Sequence, residues 1–233
     1  LKREFDPAAP ELMDRPQPVT AELESDLRNI RALNRYFGSY ALARLFLRRW
    51  IQPGAQLRVL DLATGSGDIP RLVIDYARKV GATVTVEAID QQSSTLEIAR
   101  GLSADHPEID FKQGDVLSFG EDGQYDVVLC SLALHHFAED AAVRLLERSR
   151  HLSRRFVLVS DLRRGFLATV GVYLLTTLIY RESMTRTDAR LSAERAFSFR
   201  EFGSLAERAG WKNFGHRKFR FARQAIWLEP EGV

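Results

Sequence analysis

The stretch RVLDLATGSGDIP, Arg58 to Pro70, sets an apolar run ending in Asp61 ahead of a short loop of Ala, Thr, Gly, Ser and Gly and an apparent helix start. A glycine-containing turn between a strand and a helix lets backbone approach a ligand closely at the carboxyl edge of a sheet. Two phosphate-binding readings fail on residue type. A mononucleotide loop needs Gly-Lys-Ser/Thr, and here Gly67 is followed by Asp68 and Ile69, with no lysine to neutralise phosphate. A dinucleotide fingerprint needs a small residue where Pro70 stands, and Asp68 would set its charge against a pyrophosphate at the helix start. What remains is a ligand that lacks phosphate and carries positive charge, for which Asp61 and Asp68 are suited.

Working outward, strands alternate with helices. Strands are expected at Leu57 to Leu62, Thr83 to Ile89, Ile109 to Gln113, Tyr125 to Cys130 and Phe156 to Ser160, with helices near 69–80, 95–103 and 140–152. The second of these helices carries a capping-box spacing, Ser94 with Glu97. This rhythm predicts a parallel sheet covered on both faces. After a helix at Phe199 to Ala209, a β-rich tail (Trp211 to Leu228) supplies two strands that should pair antiparallel at one side of the sheet. The second strand ends in Asp90, where an acid can accept both hydroxyls of a ribose, and the third ends in QGDV, placing Asp115 and Val116 against an adenine. S-adenosylmethionine carries the ammonium, sulfonium, ribose and adenine that such a set would meet.

The chain of 233 residues has a net charge of +2, and its single cysteine, Cys130, lies in an apolar run. No intramolecular disulfide is possible, and a reducing, cytoplasmic setting is expected. The first 20 residues, with prolines at 7, 10, 16 and 18, read as an extended arm without an apolar leader. Charge is lopsided, with 18 Lys/Arg against 7 Asp/Glu over residues 144–223, which could draw an anionic partner or be a solvated surface. The longest apolar run, residues 166–180, is too short for the roughly 20 residues of a membrane span. It is apolar nearly all round a helix, so it could pack in the core, line an acceptor pocket, join a homodimer or touch a membrane surface.

Taken together, VLDLATGSGD, AIDQQ, GDV and YDVVLCSLALHHF resemble the class I S-adenosylmethionine-dependent methyltransferases, in particular the small-molecule group that includes quinone-biosynthesis enzymes. The resemblance implies a doubly wound, mostly parallel α/β sheet of seven strands with an antiparallel last strand. Beside it, three-to-four apolar spacing over 21–51 and the break in rhythm beyond Asp161 predict an N-terminal arm and helical cap over residues 1–54, with the methyltransferase domain over 55–233 and a helical insertion at about 163–198. The resemblance implies that Asp61, Ala63, Gly65 and Gly67 line the methionine part of the cofactor, that Asp90 and Gln91 meet the ribose and adenine edge, and that Gly114, Asp115 and Val116 meet the adenine. Backbone at Cys130, Ser131 and Leu132 would face the methionine amino group. Softer matches in LMDRPQ, DLRNIRALNRYFGSY and MTRTDARLSAERAF favour a phenolic or quinol acceptor.

For chemistry, His135 and His136 follow the fourth strand, at the edge where a donor methyl would lie, and an imidazole can accept a phenolic proton near neutral pH. A structural role as a hydrogen-bonded pair competes with this. Tyr36, Phe37 and Tyr173 are the candidate acceptor-site residues, and no metal ligand is assigned. The fourth strand carries SLAL where enzymes that methylate exocyclic amines have an Asn/Asp-Pro-Pro-aromatic turn, which disfavours nucleic acid as substrate. C-methylation and a non-catalytic cofactor-binding module stay open beside O-methylation.

Overall fold

The computed structural model describes residues 2–166, 170–173 and 183–230. Each expected strand is present. The sheet contains β1 (Gln56–Leu62), β2 (Thr83–Asp90), β3 (Ile109–Gln113), β4 (Tyr125–Ser131), β5 (Ser153–Leu162), β6 (Gly215–Phe219) and β7 (Arg223–Leu228). Their order is β3-β2-β1-β4-β5-β7-β6. β1 to β5 are mutually parallel, and β7 runs antiparallel to both β5 and β6. The chain winds from β1 out to β3, then returns to lay β4 on the other side of β1. A crevice therefore opens between the carboxyl ends of β1 and β4, where ligands of open α/β sheets bind.

Helices α1 (Ala21–Tyr36), α2 (Ser39–Trp50), α3 (Asp68–Val80), α4 (Ser93–Leu102), α5 (Glu139–Leu152), α6 (Ser183–Arg195) and α7 (Phe199–Arg208) surround the sheet. Residues of α2, α3 and α4 share one core with one sheet face, and residues of α5 and α7 share a second core with the other. The expected cap at 1–54 therefore divides. α2 belongs to the sheet's core: Trp50 stacks on Phe156 at 4.8 Å, and Phe46 meets Trp227 at 5.0 Å. The cap proper is the arm, α1 and α6, held by Leu23, Leu27 and Met184 with Leu12, Met13 and Val19 packed against them.

Local chemistry explains the helix ends. Gly67 precedes α3 with φ 70°, and a Cβ there would lie 2.8 Å from the Phe111 ring, so backbone conformation and packing both select glycine. The expected Ser94–Glu97 box does not form, because α4 begins at Ser93 with Gln92 as its cap and no side-chain cap bond. A capping box does form on α7: Ser198 Oγ accepts from the Glu201 N–H at 3.3 Å, and the Glu201 carboxylate accepts from the Ser198 N–H at 2.7 Å. Of the apolar run 166–180, residues 167–169 and 174–180 lie outside the described residues. No helix among the described residues is long and apolar enough to cross a membrane.

Candidate functional site

Both walls of the crevice are built by sharp backbone turns. Ala63 after β1 and Leu132 after β4 have φ of 56° and 57°, a conformation that non-glycine residues rarely adopt and that concentrates at functional sites. The turns are pinned: the Thr64 N–H donates to Ile89 O at 2.8 Å, and the Leu132 N–H donates to Ser160 O at 2.8 Å. Above them lies a cavity of about 800 Å³, within the 300–1,000 Å³ of ligand sites.

One end of the cavity is acidic. Asp61, Asp68 and Asp90 all line it, together with Ala63, Gly65 and Gln91. Asp90 accepts from the N–H groups of Gly65 (2.9 Å) and Gln92 (3.0 Å), which ties the β1 loop to the end of β2. Burial raises the proton affinity of all three carboxyls. Asp61 is pushed up to about 8, by burial first and then by the negative charges of Asp68 and Asp90, with the nearby Thr64 hydroxyl opposing. Asp68 has local partners, since Asn34 Nδ2 donates to it at 3.0 Å and Arg71 lies close by. Arg71 Nη1 also donates to Ser66 O and Ser103 Oγ, each at 2.7 Å, and braces the loop from behind.

The rest of the wall is mostly apolar. Val116 closes it beside Gln91 and Gln92, and Ser131 and Leu132 form the β4 side. Leu27, Ile30, Leu33 and Phe37 of the α1 region, Ala189 and Ala193 of α6, and Phe221 of the β6–β7 turn also line it. Phe37 and Phe221 meet edge to face at 5.7 Å.

Six further expected site residues do not line the cavity. Gly67 serves the packing on Phe111, and Gly114 packs against Phe119. Asp115 is exposed, its carboxylate accepting from the Leu117 N–H at 2.9 Å. Cys130 is fully buried in the core, where burial pushes its thiol up. Tyr36 is 67% exposed at the end of α1, and Tyr173 is turned outward, its hydroxyl donating to Glu194. None of the six is in the cavity wall.

His135 and His136 both line the cavity, in a 3-10 turn (Leu134–His136) that follows the Leu132 kink. Asp161, at the end of β5, grips His135: it accepts from Nδ1 at 2.7 Å and from the backbone N–H at 2.9 Å. This assigns the proton to Nδ1 and leaves Nε2 buried with no hydrogen-bond partner among the described residues. His136 Nδ1 is held by Asp14 at 2.6 Å. Burial alone would lower the His136 pKa, but Glu11 and Asp14 outweigh it and hold the ring up to about 10, so His136 is an imidazolium at neutral pH and a poor proton acceptor. Of the two, His135 has the open lone pair.

Three of these partners come from outside the readable motifs. Glu11 and Asp14 lie on the arm, which is folded down over the histidines instead of standing extended. The Leu12 and Met13 N–H groups donate to Asp188 at 2.8 and 2.9 Å, Ser192 Oγ donates to Glu11 at 2.8 Å, and Arg3 Nη2 donates to the carbonyls of His135 and Phe137. Asp161 follows the strand-end rule that singled out Asp61 and Asp90 and could have been found by it.

Comparison with known proteins agrees with this geometry. Residues 59–155 match the family described as "Methyltransferase domain". Over 82 residues the chain is 34% identical to a 2-phytyl-1,4-naphtoquinone methyltransferase of Thermosynechococcus vestitus, a match spanning 35% of this chain and 35% of that protein. Among solved structures, a SAM dependent methyltransferase from Aquifex aeolicus superposes with a TM-score of 0.62 at 15% identity, covering 88% of this chain and 97% of that one. Magnesium protoporphyrin IX methyltransferase from Synechocystis PCC 6803, solved with bound SAH, gives a TM-score of 0.58 at 16% identity, covering 94% and 91%. The matched segment is seated on a seven-stranded sheet of this winding, and the solved methyltransferases share the chain's fold.

Proposed function

We propose that the protein is an S-adenosylmethionine-dependent methyltransferase acting on a hydrophobic aromatic small molecule, at a phenol or quinol oxygen. The observation that carries this reading is the uncompensated acidity of the crevice. Asp61 is buried at 2% exposure with the negative charges of Asp68 and Asp90 beside it, and a buried carboxylate is costly unless a cation pairs with it. An amino-acid ammonium beside a sulfonium is such a partner. Asp61 and backbone at Ser131 and Leu132 would hold the methionine part, Asp90 the ribose, and Val116 the adenine face.

When bound, the cofactor supplies an electrophilic methyl carbon on a positively charged sulfur. The protein's own contribution is chiefly positioning. Holding the acceptor near attack distance is worth about 7–11 kcal/mol, against roughly 10²- to 10⁴-fold from a placed base. Phe37, Leu33, Ile30 and Phe221 clamp the apolar body of the acceptor. His135 Nε2, its ring oriented by Asp161, accepts the hydroxyl proton as the oxygen lone pair takes the methyl. The T. vestitus relative, named for a phytyl naphthoquinone, favours an aromatic acceptor with a greasy tail.

Two experiments test this. Calorimetry should show one equivalent of S-adenosylhomocysteine bound, and labelled donor should pass methyl to members of a panel of phenols and quinols, with product analysis deciding oxygen from carbon. Binding without transfer to any acceptor would leave a non-catalytic module. Absence of binding by folded protein would end the reading.

A further inference from the structure

We propose that Glu11, His135 and His136 form a binding site for one divalent transition-metal ion, facing the acceptor cavity. One potential ligand atom from each of the three residues lies within 4.8 Å of the other two. His135 Nε2 stands 3.7 Å from Glu11 Oε1, and His136 Nε2 stands 4.0 Å from Glu11 Oε2. Two ligands each about 2.0–2.1 Å from one tetrahedral ion are roughly 3.3 Å apart, so the two glutamate–histidine pairs must close by about 0.4 and 0.7 Å and the two histidines by up to about 1.5 Å.

Three features distinguish this cluster from a chance meeting of polar groups. His135 Nε2 belongs to a residue only 2% exposed and has no hydrogen-bond partner among the described residues. Each imidazole is oriented through Nδ1 by a carboxylate, His135 by Asp161 at 2.7 Å and His136 by Asp14 at 2.6 Å, which is the outer-shell arrangement that aims metal-ligating histidines. Glu11 is itself held, accepting from Ser192 Oγ at 2.8 Å. Two imidazole nitrogens and one carboxylate make a set suited to zinc, iron or cobalt, with positions left open for other ligands.

On binding, the ion takes the place of the proton on His136 Nε2, which leaves to solvent, and takes the lone pair of His135 Nε2. The proton-acceptor role given to His135 above therefore belongs to the ion-free protein. In the loaded protein an acceptor oxygen at an open position would lose its proton to solvent, because coordination acidifies it. That catalytic role rests on the proposed methyl transfer, whereas the binding of the ion does not.

The test uses the full chain, stripped with chelator and titrated with Zn2+ by calorimetry at neutral pH. Co2+ titration, read by its visible d–d bands, reports the coordination, circular dichroism reports folding, and S-adenosylhomocysteine titration reports the donor site. One equivalent of Zn2+ is expected, with Co2+ bands of a four- or five-coordinate N/O site. Glu11→Gln should weaken Zn2+ at least about tenfold while keeping the Ser192 contact, and Asp14→Asn, which removes an orienting partner, should weaken it by about 10- to 100-fold. If Glu11→Gln does not fold, His136→Gln carries the same expectation. Folded protein that takes up no Zn2+, or ligand variants that bind it as tightly as wild type, would overturn the site. Zn2+ binding without S-adenosylhomocysteine binding would leave the metal site standing and the methyltransferase reading fallen.

Discussion

Replacing Asp61 with asparagine should make the protein more stable and at the same time strip it of cofactor affinity. The side chain is buried, and its carboxyl is taken from 3.8 to about 8 by the fold. A raised acid pKa means that the native state binds more protons than the unfolded chain between those values, so stability falls as pH rises through that window. At pH 7 the interval from 3.8 covers about three tenfold steps of about 1.36 kcal/mol, an upper figure of ~4 kcal/mol against the folded state. The neutral amide of the Asp61→Asn variant carries no such penalty. The assay is urea denaturation of both proteins at pH 5, 6, 7 and 8, with S-adenosylmethionine titrated in parallel. The stability gap should open in favour of the variant by about 1–4 kcal/mol between pH 5 and 8, and cofactor binding by wild type should release a proton as the ammonium lowers the Asp61 pKa. A gap that stays constant over this range would refute the reasoning, because it would mean that Asp61 does not titrate there.

Other expectations are simpler. Gly67→Ala should cost at least ~1–2 kcal/mol in denaturation, from the left-handed backbone alone, with the Phe111 ring contact at 2.8 Å adding to it. Ser198→Ala removes the capping box of α7 and should cost about 1 kcal/mol, a fall in melting temperature of about 2–4 °C for a chain of this size. Phe221→Ala should raise KM for an apolar acceptor by about tenfold, the loss of a partly exposed aromatic contact. Its S-adenosylhomocysteine affinity should be unchanged, since the Phe221 ring packs on Phe37 and not on the acids. Equal losses in both would place the ring in the cofactor half.

What could be read from the residues divides along a physical line. Asp61 and Asp90 were legible because an acid ending an apolar run is placed by the strand itself, and local sequence dictates strands. Val116 was legible for the same reason, three residues beyond the end of β3. Asp115 looked equivalent but bends back onto its own loop, a choice made by hydrogen bonds that no spacing records. Tyr36 and Phe37 are neighbours at one helix end, and only packing of the β6–β7 turn selects Phe37. Glu11 and Asp14 meet histidines more than 120 positions away, and proline-rich sequence says only that such a segment is not helical, not where it lies.

The β6–β7 turn has a consequence for how this protein comes into being. Synthesis delivers Asp61, Asp90, Val116 and Leu132 well before Phe221, which also lines the cavity. If the proposed function holds, a nascent chain has the residues that would hold the donor long before it has the Phe221 ring that would meet the acceptor. On the same reading, swapping the terminal hairpin between homologous chains should change acceptor preference while leaving donor affinity unchanged.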